Sequence, residues 1–194
     1  MRRGKSKKHF FSFSQNTLLK KYRKWGMIKV PKILKKNRYN RVIGGVAMVS
    51  VQALANTVLK KAFEEKRPVT PMKLQKLIYF IYADYLQTMD EPLLSERFEV
   101  WQYGPVLSSI YYEFQSFGAN PITKFAKDAN NVVYVVSSDC TDILASVNKV
   151  WEKYKFFSGI DLSKKTHLPE GAWYKAFQRH DSYLDNEDIK SEQI

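Results

Sequence analysis

One cysteine, Cys140, stands in a chain of 194 residues. That excludes an internal disulfide and any cysteine-rich zinc site, and it fits a reducing compartment such as the cytoplasm. Histidine is nearly as scarce, with three residues. The chain has no His-Glu-x-x-His or Cys-x-x-Cys pattern and no Walker or dinucleotide glycine pattern. It also lacks an apolar run long enough for a membrane span: the stretch Val42 to Val51 is too short, and Ser50 and Gln52 make it too polar. No cofactor or metal site is therefore expected, and no catalytic residue is assigned. Negative charge is missing from the first quarter of the chain. Residues 1–47 hold 15 Lys and Arg and no Asp or Glu, so residues 48–194 hold the other 17 bases against all 19 acids, a balance of −2.

The overall charge of +13 thus belongs to a basic leader and not to the body. The leader has several readings. Its bases, interleaved with Phe10, Phe11, Phe13, Tyr22, Trp25 and Tyr39, suit a nucleic-acid-binding arm. A signal peptide would need a basic region far shorter than this one, and cleavage at Ala53-Leu54-Ala55 would cut the first helix. The third reading is upstream sequence read in frame. Ile43-Gly44-Gly45 can be encoded by a purine-rich ribosome-binding site, with Met48 as the true start. The expected organisation is therefore a leader over residues 1–47, disordered or not translated, and one domain over residues 48–194.

The body holds ample apolar and aromatic residues for a core. Val51, Leu54, Ala55, Val58, Leu59 and Ala62 recur at helical spacing and predict a helix over 49–66. Thr70-Pro71 is an N-cap followed by the proline favoured at the first helical position. A second helix then runs from Pro71 to about Thr88. Leu74, Leu77, Ile78, Ile81 and Tyr85 form its buried stripe, with Lys73, Lys76, Asp84 and Gln87 on the opposite arc. Alternation around Phe98 to Gln102 predicts a short strand. Gly104-Pro105 is expected to break it, with Pro105 opening a third helix to Phe117. Val132 to Val136 predicts a second strand. Asp139 is expected to cap a fourth helix from Cys140 to about Phe157. Leu162 to His167 forms a helical turn, Glu170 to Arg179 a fifth helix, and Asn186 to Glu192 a final turn. The sum is an α+β fold, predominantly α-helical, with about five helices around one core, two short β-strands and an extended basic N-terminal leader.

Several residues invite a functional reading. Gln75, beside Tyr79 and Tyr82 on one helix face, is either a structural amide or part of a recognition face with Lys73, Lys76 and Phe80. Trp101, Tyr103, Gly104 and Pro105 form either a fold-defining corner or an exposed aromatic platform, with Tyr111 close by. His167 and Trp173 suggest a histidine hydrogen-bonded to backbone or carboxylate rather than a metal ligand.

Three segments in order resemble the Panacea domain, which includes SocA-type antitoxins and GepA-type phage-associated proteins. They are Thr70-Pro71-Met72-Lys73-Leu74-Gln75-Lys76-Leu77-Ile78-Tyr79-Phe80, then Phe98 through Trp101-Gln102-Tyr103-Gly104-Pro105-Val106 to Tyr111, then Leu162-Ser163 through Thr166-His167 to Trp173. The likeness spans about residues 51–180 and none of the leader. Ile78 replaces a leucine of the family pattern, and the polar C-terminal end leaves the family's last helix in doubt. The resemblance implies a non-enzymatic antitoxin in a toxin-antitoxin system. Its partner would be a cognate toxin encoded nearby, bound directly or handed to a cellular AAA+ protease. A nucleic-acid partner would depend on the leader. On this resemblance the toxin-binding or family-motif residues are Lys73, Gln75, Lys76, Tyr79, Trp101, Tyr103, Gly104, Pro105, Tyr111, His167 and Trp173.

Overall fold

The computed structural model describes residues 34–37, 41–43 and 46–194, with side chains from Met48 onward. Most of the expected 1–47 leader lies outside the described residues. Three short strands from its second half are within them: β1 (Leu34–Asn37), β2 (Arg41–Ile43) and β3 (Val46–Met48). The later elements in chain order are α1 (Val51–Glu64), α2 (Pro71–Met89), β4 (Glu99–Trp101), β5 (Gly104–Val106), α3 (Ser108–Phe114), β6 (Val133–Val136), α4 (Thr141–Tyr154), α5 (Gly159–Thr166), α6 (Ala172–Gln178) and α7 (Asn186–Lys190). A 3-10 turn at Gln115–Phe117 extends α3. The strands form three two-stranded sheets, β1 parallel to β6, β2 antiparallel to β3 and β4 antiparallel to β5. The fold is α+β and mainly helical.

Helix α2 is the axis of the body. Thr70 Oγ1 accepts from Lys73 N, and Pro71 fills the first turn without wasting an N–H. Every residue from Lys73 to Leu86 is buried. Helices α1, α4, α5 and α7 and the β4–β5 hairpin all pack on it. This overturns the expected solvent arc for Lys73, Lys76 and Asp84, while Gln87 is exposed as expected. A helix enclosed on all sides keeps polar residues only where each head has a partner. Lys73 Nζ donates to Lys155 O at 2.7 Å, a cation on the open carbonyls at the end of α4. Asp84 accepts from Lys149 Nζ at 2.5 Å. Apolar members such as Leu77, Ile78 and Phe80 are at most 1% exposed, and burial of each contributes about 1.5–3 kcal/mol.

Helix α1 is joined to the remote β6 segment by its own side chains. Buried Asn56 donates to Ala126 O and Tyr134 O and accepts from Ala126 N, and Thr57 Oγ1 accepts from Val136 N. Other boundaries differ from expectation. Pro105 does not open a helix: it lies in β5, paired with Val100, and α3 begins at Ser108. Cys140 occupies the N-cap of α4 in place of Asp139, without a side-chain cap bond. Seven helices are described: the five expected, plus α5 and α7 where helical turns were expected at 162–167 and 186–192, and six short strands stand where two were expected. Ser158 and Asp161 form a reciprocal capping box that nucleates α5, and Asp185 caps α7 by accepting from Glu187 N.

Candidate functional site

The three sequence segments meet at one place, the β4–β5 hairpin. Its two-residue tip is Gln102-Tyr103, and Gly104 follows with φ +98. A two-stranded hairpin of this length is marginal alone. Here its backbone is gripped by side chains from three helices, α2, α5 and α6. Trp173 Nε1 on α6 donates to Trp101 O at 2.9 Å. His167, the C-cap of α5, brings Nε2 to 3.1 Å from Gln102 O, and its Nδ1 lies 2.6 Å from Ser163 O. Ser163 Oγ donates to Tyr103 O at 2.9 Å. Lys76 Nζ on α2 donates to Pro105 O at 2.8 Å. Gln75 closes the series with two bonds to Leu107: its Nε2 donates to the carbonyl and its Oε1 accepts from the N–H, both at 2.9 Å.

Gly104 makes this grip sterically possible. A Cβ at that position would overlap Thr166 Oγ1 and lie 2.9 Å from Lys76 Nζ. The left-handed φ independently favours glycine. On the outer edge of β4, residues 182–184 add a third strand-like segment: Val100 N donates to Ser182 O and Leu184 N to Phe98 O.

Electrostatics follow from burial. Lys76 is 1% exposed and has no carboxylate partner among the described residues, so desolvation lowers its ammonium pKa to about 7. Burial, then the nearby charge of Arg67, lowers that of Lys73. Tyr79 packs its ring against Phe98 and donates to Glu192 Oε2 at 2.5 Å. Burial first, then the Glu192 charge, pushes its phenol well above the ordinary range. Glu192 itself is raised by burial, against the bonds from Tyr79 and Ala172 N that hold it down.

The candidate residues therefore divide in two. Lys73, Gln75, Lys76, Tyr79, Gly104, Pro105 and Trp173 are buried and hold structure together. His167 is half-buried, its ring 3.9 Å from that of Trp173. Tyr103 is 61% exposed at the tip. The half-buried Trp101 ring lies 4.8 Å from that of Tyr111, which contacts Tyr112 at 5.4 Å. On the far side of Trp173, Phe177 stacks at 4.8 Å and is half exposed. What reaches solvent is aromatic area with phenol tips, a composition enriched in protein interfaces.

Ser163, Thr166, Tyr112 and Glu192 were not singled out by sequence reasoning. Ser163 and Thr166 stood inside a quoted motif without an assigned partner. Glu192 is one acid among many in a polar tail, and nothing local marks it as buried.

Three comparisons with known proteins bear on this site. The family model for the antitoxin SocA-like Panacea domain matches residues 74–174, a span that includes the whole hairpin and all five side chains gripping it. Antitoxin SocA of Caulobacter vibrioides (strain NA1000 / CB15N) is 30% identical over 129 residues, covering 64% of this chain and 69% of that protein. No solved structure matches the chain.

Proposed function

The chain belongs to the family of SocA-like antitoxins with a Panacea domain, and from that premise we propose that it neutralises a toxin protein by direct, stoichiometric contact in the cytoplasm. The contact face is the aromatic surface around the hairpin tip: Trp101, Tyr103, Tyr111 and Tyr112. One observation carries this reading. Trp173, Ser163 and Lys76 hold the hairpin by its carbonyls, Gln75 holds Leu107 just past β5, His167 Nε2 lies 3.1 Å from Gln102 O, and the tip residues Gln102 and Tyr103 stay exposed. A face fixed before binding loses little conformational entropy on binding, so its aromatic area converts more fully into affinity. Nothing in the reading requires chemistry at the site: the amine that meets the hairpin, Lys76, is buried with its head engaged. No described helix is long and apolar enough to cross a membrane.

The test is co-expression with the protein encoded by the adjacent gene. Protection from toxicity is expected with the parent chain and is lost with Tyr103→Ser combined with Tyr112→Ser. Both positions are more than 60% exposed, so the fold should persist. Loss of two interface anchors should weaken a purified complex by at least about 30-fold. Protection that persists in this variant at equal expression would overturn the assignment of the face. Toxin abundance distinguishes two routes: an unchanged level with a co-purifying complex supports direct inhibition, and a level that falls only when an AAA+ protease is present supports delivery to that protease. Protection that disappears on deletion of residues 1–47 would favour the leader and a nucleic-acid partner.

A further inference from the structure

A second surface lies at the opposite end of α5, where α4 gives way to the loop before it. Phe156 is 69% exposed, Ile160 62% and Phe157 37%. Phenylalanine and isoleucine have no polar tip to justify this exposure, and three of them adjoin. The corner is also rigid. Lys73 Nζ bonds Lys155 O, the Ser158–Asp161 capping box fixes the next turn, and Gly159 sits so close to α2 that a Cβ would stand 2.9 Å from Lys73 N. The backbone that carries these exposed side chains is thus tied to α2 and capped at the start of α5.

Cations surround these rings. Arg67 Cζ lies 4.4 Å from the Phe156 ring centre, Lys155 Nζ 5.7 Å from the same ring, and Lys165 Nζ 5.5 Å from that of Phe157. The nearby acids are already engaged: Glu65 and Glu152 pair with Lys155, and Asp161 serves the capping box. Arg67 and Lys165 have no carboxylate within ion-pair distance among the described residues. A guanidinium lying over a ring still directs its in-plane N–H groups outward, where they match a carboxylate.

We infer that the corner of Phe156, Phe157 and Ile160 is a docking surface for an acidic segment of a partner protein that carries an apolar anchor. Charge and shape together select this occupant. The cations call for carboxylates or phosphates, but the centre of the patch is aliphatic and phenyl area that a phosphate backbone would leave uncovered. An eight-residue helix also offers too short a face to lie in a bilayer interface. This surface is distinct from the hairpin face, and its test involves no toxin.

A phage-displayed library of random 12-residue peptides is panned against the whole purified chain, with counter-selection on the Phe156→Ser, Ile160→Ser double variant. Recovered peptides are expected to be rich in Asp and Glu around a Leu or aromatic residue. Their affinity should fall by at least about 30-fold in the double variant. It should also fall in Arg67→Glu combined with Lys165→Glu, and decline as salt is raised. The double variants are checked by thermal melting, where unchanged midpoints are expected because the altered side chains are surface groups. Peptides of neutral or basic composition, or none that separate parent from variant, would overturn the inference. So would patch-dependent binding of phosphatidylglycerol vesicles or a DNA duplex without acidic-peptide binding.

Discussion

Replacing Gly104 with alanine adds one methyl group at the most crowded point of the hairpin grip. Two costs arise. The backbone is at φ +98, where an L-residue is strained by roughly 1–3 kcal/mol. The methyl also meets Thr166 Oγ1 and Lys76 Nζ. Thr166 is fully buried with its hydroxyl donated to Ser163 O, and Lys76 is held by Pro105 O, so neither withdraws freely. Overpacking of this kind costs about 1–3 kcal/mol. The expected loss is therefore about 2–6 kcal/mol, a large part of the roughly 5–15 kcal/mol that stabilises an ordinary domain. Urea denaturation followed by far-ultraviolet circular dichroism measures it. A double-mutant cycle separates the costs, because Thr166→Ala removes the closest clashing oxygen and leaves the backbone strain and the Lys76 contact. Thr166→Ala alone should cost about 1 kcal/mol for its hydrogen bond. In the double variant the two losses should sum to less than their separate values by about 1–3 kcal/mol. A Gly104→Ala loss below about 1 kcal/mol, or strict additivity with Thr166→Ala, would refute the steric account.

Lys76 supplies a pH prediction. Its ammonium has a pKa of 10.5 when solvated and about 7 in the fold, so between those values the unfolded chain binds more protons. Stability should therefore rise with pH from about 7 toward 10. Lys76→Met should be more stable than the parent near pH 6.5 and lose that advantage toward pH 9.5; parallel curves in urea titrations at the two pH values would show that the amine is solvated. Glu192→Ala leaves Tyr79 Oη–H and Ala172 N–H without their acceptor and should cost about 1–3 kcal/mol at pH 7. Glu192→Gln keeps an acceptor and removes the charge. The carboxyl pKa is raised in the fold, so its contribution is present in acid and lost as pH rises through that value. Melting curves from pH 4 to 8 should then show Glu192→Gln holding its midpoint better than the parent as pH increases.

Most helices were legible in the sequence because their signals are local. Apolar spacing and the Thr70-Pro71 pair located α2 to within a residue at either end. The β-branched and aromatic run Val132 to Val136 located β6, which spans Val133–Val136. Burial of α2 was not legible, because a helix with lysines on one arc reads as amphipathic until its neighbours are known. Lys73 and Lys76 are drawn inside by carbonyls more than 25 residues away, at Lys155 and Pro105. The same distance problem hid β5: Gly104-Pro105 has the local chemistry of a helix start, and pairing with Val100 overrides it. The Ser158–Asp161 capping box, by contrast, is written in four consecutive residues, yet the sequence reading begins this turn at Leu162 and passes over it. Within the site, residue types pointed to the right segments, but a partner such as Leu107 for Gln75 is a property of the fold alone.

The grip on the hairpin reads main chain, not side chains. Tryptophan, serine, lysine and glutamine each take hold of a peptide oxygen, which every amino acid supplies. The identities at positions 102 and 103 can therefore drift without loosening any of these anchors. A protein built this way can exchange the residues it shows to a partner while the mount that carries them stays the same, so one scaffold can be re-aimed at unrelated targets by changing very few letters.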